Sequence, residues 1–205
     1  MTETATKARR KRRRRLVGSV LLVLVVGSVF GCTSTITPPP APARPVTVFL
    51  LREALHTGVV LPPLVPGGDY VEFGYGDWSW FALGHDAWYH VFATVLWPTQ
   101  GALGRRPFDA RDAAAMPRAA WWAEVTPVQV EADLAKQLHE RLQQQFDAGA
   151  IAVVQRRDLG FSFVPWDRSY WLVDNCADVA AEWFTELGCS VGWAPVRGGL
   201  QVAGP

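Results

Sequence analysis

Val46-Thr47-Val48-Phe49-Leu50-Leu51-Arg52-Glu53-Ala54-Leu55-His56-Thr57-Gly58-Val59-Val60-Leu61-Pro62-Pro63 is the stretch on which the fold turns. Two apolar, β-branched runs, Val46–Leu51 and His56–Leu61, are joined around Arg52 to Leu55 and stopped by a proline pair. That pattern predicts two strands connected by a short turn. Tyr70-Val71-Glu72-Phe73 predicts a third strand, with Gly74-Tyr75-Gly76-Asp77 as the turn after it. Trp121 to Val125 predicts another.

Helices follow by a different period. Thr126 as N-cap, Pro127 at the first helical position, Gln129 completing a capping box and Gly149 as a stop predict a helix from Pro127 to about Asp147. Val130, Leu134, Leu138, Leu142 and Phe146 recur every fourth residue and form the stripe that packs on a sheet; His139 falls on the opposite, solvated side. Asp86 caps a predicted short helix, Ala87 to Leu96, ended by Pro98. A last one begins at Asn175-Cys176 and runs to Leu187. Strands and helices in this mixture predict an α+β domain, a small antiparallel sheet packed against helices.

Outside residues 46–205, which are about 160 residues and one domain by size, the chain has another character. Lys7 and the block Arg9 to Arg15 precede an uncharged apolar run, Leu16 to Gly31, that ends at Cys32. Sixteen residues fall short of the roughly 20 that span a bilayer comfortably. Residues 1–32 therefore read as a signal peptide or a short membrane anchor. Val29-Phe30-Gly31-Cys32 resembles the lipobox of bacterial lipoproteins, which implies lipidation at Cys32 and a place in the bacterial cell envelope, facing the periplasm or exterior. Thr33 to Pro45 is proline-rich and reads as an extended tether. Without residues 1–31, twelve basic residues face eighteen acidic ones, a net charge of −6 against +1 for the whole chain. An acidic domain with no basic stripe argues against nucleic-acid binding. It is expected to be a monomer, held to a membrane through its N-terminal segment.

Cys176 and Cys189 remain as thiols of the domain. If the helix between them forms, their Cα atoms lie on the order of 18 Å apart, too far for a disulfide, which needs less than about 7 Å. A thiol at a helix start meets unpaired N–H groups and the positive end of the helix dipole, which favour its anion. The alternative is a buried, inert cysteine.

His56-Thr57-Gly58-Val59-Val60-Leu61-Pro62, Glu72-Phe73-Gly74-Tyr75-Gly76-Asp77, Tyr170, Asn175-Cys176, Trp183, Leu187 and Gly188 together resemble an uncharacterised bacterial envelope family, domain of unknown function 2459, over nearly all of residues 46–200. The order, histidine first and Asn-Cys late, more remotely resembles circularly permuted papain-like proteins, among them NlpC-type cell-wall peptidases and the lecithin:retinol acyltransferase group. The resemblance implies a histidine on a strand of the sheet and a cysteine opening the helix packed on it. It implies Cys176 as nucleophile and His56 as its base. Glu72 is the first candidate for the group that orients the imidazole, and Asp77 the second; the first is otherwise a solvated strand carboxylate, the second a turn cap. The backbone N–H of Cys176 belongs to the implied oxyanion hole.

No cofactor motif stands out. His85 and His90 flank Trp88-Tyr89, with no spacing that makes a zinc site with His56. Trp78, Trp80, Phe81 and Trp88 either line a groove or are core. Two classes of function follow: a cysteine hydrolase or acyltransferase acting on a peptidoglycan amide or a lipid acyl ester, or a non-catalytic envelope lipoprotein that binds or scaffolds.

Overall fold

The computed structural model describes residues 32–54, 56–85 and 97–204. The basic leader, the helix expected at Ala87 to Leu96, Trp88 and His90 lie outside these residues. Among the described residues no helix is long and apolar enough to cross a membrane.

The strands are β1 (Thr33–Thr37), β2 (Pro45–Glu53), β3 (His56–Leu61), β4 (Val71–Asp77), β5 (Thr99–Pro107), β6 (Glu124–Glu131), β7 (Val154–Arg156), β8 (Phe161–Tyr170), β9 (Ser190–Val191) and β10 (Gly199–Val202). Among the described residues, seven of them form one antiparallel sheet in the order β6-β2-β3-β4-β5-β8-β7. Among the described residues the α-helices are α1 (Met116–Ala119), α2 (Ala132–Ala148) and α3 (Cys176–Glu186), with a π-helical turn at Trp78–Ala82 and a 3-10 turn at Ala150–Ala152. The class is α+β, as expected, but the sheet is large rather than small.

The continuous apolar run in β2 has its reason in burial on both faces. Val48 and Leu50 join Val59, Leu61, Phe73, Leu138, Leu142, Trp183 and Phe184 in the main core beneath α2 and α3. Phe49 and Leu51 face the other way, with Val60, Tyr70, Phe108 and Met116. His56, Asp77, Thr99 and Tyr170 collect at one end of the sheet, because β2–β3, β3–β4, β4–β5 and β5–β8 are all antiparallel neighbours.

Several sequence expectations need correction. Thr126 to Glu131 is not the start of the long helix; Val128 and Val130 pair with Val48 and Val46 as strand β6. Pro127 is tolerated there because β6 is an edge strand, where a missing N–H costs no ladder bond. The helix begins only at Ala132, with Leu138, Leu142 and Phe146 buried as the stripe predicted. His139 is not solvated: it is 3% exposed, donates from Nδ1 to the Pro62 carbonyl at 2.8 Å and sets its ring edge-on to Phe73. Burial lowers its pKa.

Nor is Thr33 to Pro45 a free tether. Thr33–Thr37 forms a strand parallel to β10 and antiparallel to β9, with Ile36 wholly buried. The residues that follow are fastened to Glu131, which accepts from the N–H groups of Ala43 and Arg44. Trp121 to Ala123 is a turn, with Trp122 stacked on Phe108, and the strand expected there starts at Glu124.

Gly74-Tyr75-Gly76-Asp77 is a strand, not a turn. Its glycines serve close approach. A Cβ at Gly74 would stand 2.6 Å from His56 Cε1, one at Gly76 would overlap the Phe81 ring, and one at Gly58 would overlap the Glu72 carboxylate.

Candidate active site

Cys176 is the first residue of α3, and its placement follows from a well-built cap. Asn175 accepts through Oδ1 from the N–H groups of Ala177 and Asp178, while Asp178 returns a contact to the Asn175 N–H, a full capping box. Asn175 Nδ2 donates to the carbonyls of Leu172 and Arg197, so the turn before the cysteine is tied at both sides. Arg168 braces the same turn by donating to Asp174 and Glu182. Arg197 pairs with Asp178 at 2.7 Å.

His56 opens β3, and its ring is nearly covered, with a side chain 12% exposed. Nε2 donates to Glu72 Oε1 at 3.1 Å. The side chain of Cys176 hydrogen-bonds the same imidazole. Phe161 meets the ring edge-on at 5.7 Å and Phe81 lies at 6.0 Å. Burial on its own would lower the His56 pKa; the hydrogen bonds and charges of Cys176 and Glu72 outweigh it and push the ring up to about 9.

Glu72 is therefore the group that holds the imidazole, ahead of Asp77. It is fully buried, and its second oxygen accepts from Arg106 Nε at 2.8 Å. Arg106 is itself 5% exposed and donates onward to Glu53 at 3.0 Å and to the Leu159 carbonyl. It also lies over the Phe161 ring at 4.3 Å. A buried carboxylate is costly unless paired and hydrogen-bonded, and this chain of contacts supplies both. Asp77 has the other role the sequence offered: it accepts from Trp80 N–H and the Thr99 hydroxyl and so caps the turn Trp78–Ala82.

Tyr170 completes the cluster. Its hydroxyl hydrogen-bonds the Cys176 side chain, and burial, followed by the charge of Cys176, raises its pKa well above the usual phenol value. The Tyr75 ring packs against it at 5.4 Å. Cys189 sits beyond the other end of α3, and neither thiol is in a disulfide. Burial pushes the Cys189 pKa up to about 11. His85 Nδ1 lies 2.9 Å from the Ser79 hydroxyl. Among the described residues no group of three or more His, Cys, Asp or Glu is arranged to hold a metal.

The sequence reading placed Cys176, His56 and Glu72 in one site, and the structure brings them together. It missed Arg106, which only the β4–β5 register sets opposite Glu72, and it used Tyr170 as a motif letter without a role. Compared with family models, with curated proteins and with solved structures, the chain matches none.

Gly74→Ala tests how tightly the ring is placed. The added methyl must displace His56, and an ångström of misplacement costs about 10²-fold in rate. Alkylation of Cys176 by iodoacetamide should slow by that order while the fold persists by circular dichroism. Unchanged alkylation would show that the ring position does not matter to the thiol.

Proposed function

We propose that this protein is a cysteine-dependent acyl-transfer enzyme of the bacterial cell envelope, a hydrolase or acyltransferase with a circularly permuted papain-like core, held at a membrane by its N-terminal segment. The observation that carries the reading is the relay Cys176–His56–Glu72, in which a thiol at a capped helix start hydrogen-bonds an imidazole held by a buried carboxylate. A merely structural cysteine has no use for a buried, carboxylate-paired histidine, because burying that pair is expensive.

The chemistry follows from the positions. With the thiol proton already resting on His56, the Cys176 sulfur attacks an amide or ester carbonyl carbon, forming the C–S bond. Negative charge on the carbonyl oxygen is met by the Tyr170 hydroxyl and by the backbone N–H of Cys176. The tetrahedral intermediate then collapses, the C–N or C–O bond breaks, and His56 returns the proton to the leaving amine or alcohol. Water, or an acceptor alcohol or amine, discharges the thioester. With a ring pKa of about 9, His56 carries a proton at neutral pH, the form needed for that donation.

The test uses a difference between two cysteines of similar burial. Cys176 is 7% exposed and Cys189 5%, so access does not favour either. At pH 7.5 iodoacetamide should label Cys176 at least about tenfold faster than Cys189, since reactivity follows thiolate character rather than burial alone; peptide mass spectrometry resolves the sites. His56→Ala should abolish the difference. Equal, slow labelling of both would leave the non-catalytic binding module as the better account.

A further inference from the structure

The turn that leads into Cys176 carries apolar side chains that the fold does not bury. Trp171 and Val173 are both exposed on it, and they line one open groove together with Val191 and Arg197. Two residues past Val191 stands Trp193, 85% exposed. Hydrogen bonds knit these segments into one edge of the domain. Asn175 Nδ2 donates to the carbonyls of Leu172 and Arg197, and the Arg197 guanidinium donates to the Gly192 carbonyl and to Ser34 Oγ. Gly192 N–H donates to the Thr35 carbonyl, and Gly198 N–H to that of Cys32. Trp171, Val173 and Trp193 therefore share their edge with the first residues of β1. Charges close by are already paired: Arg168 with Asp174 and Glu182, Arg197 with Asp178. They leave no cationic patch for an anionic partner, so what this edge offers is apolar area. Large apolar residues exposed singly need no account, but a gathered set marks a contact surface.

We propose that the edge formed by Trp171, Val173 and Trp193 rests on a lipid bilayer, as a second contact beside the N-terminal attachment. Two observations favour a bilayer over a protein partner. The uncharged apolar run Leu16 to Gly31 stops one residue short of Cys32, and Cys32 is bonded into this edge. Two of the three side chains are indoles, whose apolar body and single N–H suit the headgroup level of a membrane. The contact is made by apolar area, so salt does not weaken it. This inference rests on the membrane attachment proposed above and adds the face that meets the lipid.

The full chain, reconstituted in phosphatidylcholine vesicles, tests it through lipids brominated near the headgroup end of their acyl chains, which quench the emission of indoles they touch. Trp171→Phe and Trp193→Phe keep an aromatic ring at exposed positions, where the fold is not at stake. Each should reduce the bromolipid-quenched part of the emission by at least about a third, the share expected when a few interfacial indoles carry the signal. Trp121→Phe is the control. Trp121 is 79% exposed but leans on Trp122, which stacks on Phe108 on the face of the sheet away from α3, and its loss should leave the quenching unchanged. Raising the salt should leave it unchanged too. Neither Trp171 nor Trp193 quenched more than Trp121, with the chain still floating with the vesicles, would overturn the docking edge and leave the attachment standing. Quenching that salt abolishes would make the contact electrostatic and overturn the apolar one. A chain that does not float with the vesicles would overturn both the edge and the attachment.

Discussion

Cys176→Ala and His56→Ala are each expected to lower turnover of an activated acyl ester by about 10³-fold or more, with little further loss in the double variant, since members of one catalytic unit fail together rather than additively. In the proposed mechanism Cys176 supplies the atom that bonds to the substrate, and among the described residues His56 is the titrating group that both the thiol and Glu72 touch. The measurement is initial rate of nitrophenolate release for wild type, both single variants and the double. Losses within tenfold would remove the residues from the chemistry. Nearly multiplicative losses would make them independent contributors instead of a pair. Activity should hold through neutral pH and fall as pH rises past about 9, where the ring loses the proton it must donate.

The second large effect is on stability. Arg106→Met keeps most of the side-chain volume and leaves the Glu72 carboxylate, wholly buried, with His56 as its remaining partner. Breaking a buried pair from one side costs about 3–5 kcal/mol, a large part of the ~5–15 kcal/mol by which a domain of this size is stable. Urea unfolding should show that loss; a change below about 1 kcal/mol would mean that solvent reaches the pair. The pH dependence of wild-type stability has a definite sign. The His56 pKa rises from 6.5 unfolded to about 9 folded, so its contribution is complete below about 6.5 and is lost as pH climbs toward 9. The contribution is on the order of 3 kcal/mol, and Glu72→Gln should flatten that slope.

How much of this was legible beforehand differs by element. β2 and β3 were read from their apolar runs, and α3 from its cap, because both signals are local. The glycines of β4 misled: Gly-Tyr-Gly-Asp carries turn chemistry, yet it lies in a strand where each absent Cβ makes room for His56 or Phe81. That requirement comes from across the sheet and leaves no local trace. Thr126-Pro127 likewise satisfies every rule for a helix start, and pairing with Val46 and Val48 overrides it. Glu72 could be named because it lies on the strand next to that of His56. Arg106 could not, since an arginine in a basic doublet, Arg105-Arg106, reads as surface until register sets one toward Phe146 and the other toward Glu72. The aromatic pocket beside His56, lined by Tyr75, Trp80, Phe81, Phe161 and Phe163, draws on β4, β8 and the turn after β4, and only the folded order of strands brings those segments together.

The pairing of β1 with β10 bears on orientation. Thr33 lies beside Gly199, and the Cys32 carbonyl accepts from Gly198 N–H at 2.8 Å. A lipid carried on Cys32 would consequently join a residue already built into the domain, with no slack between them. The body would stand on the bilayer in a near-fixed attitude, like a post set in its footing, and whatever reaches Cys176 would approach from one side only.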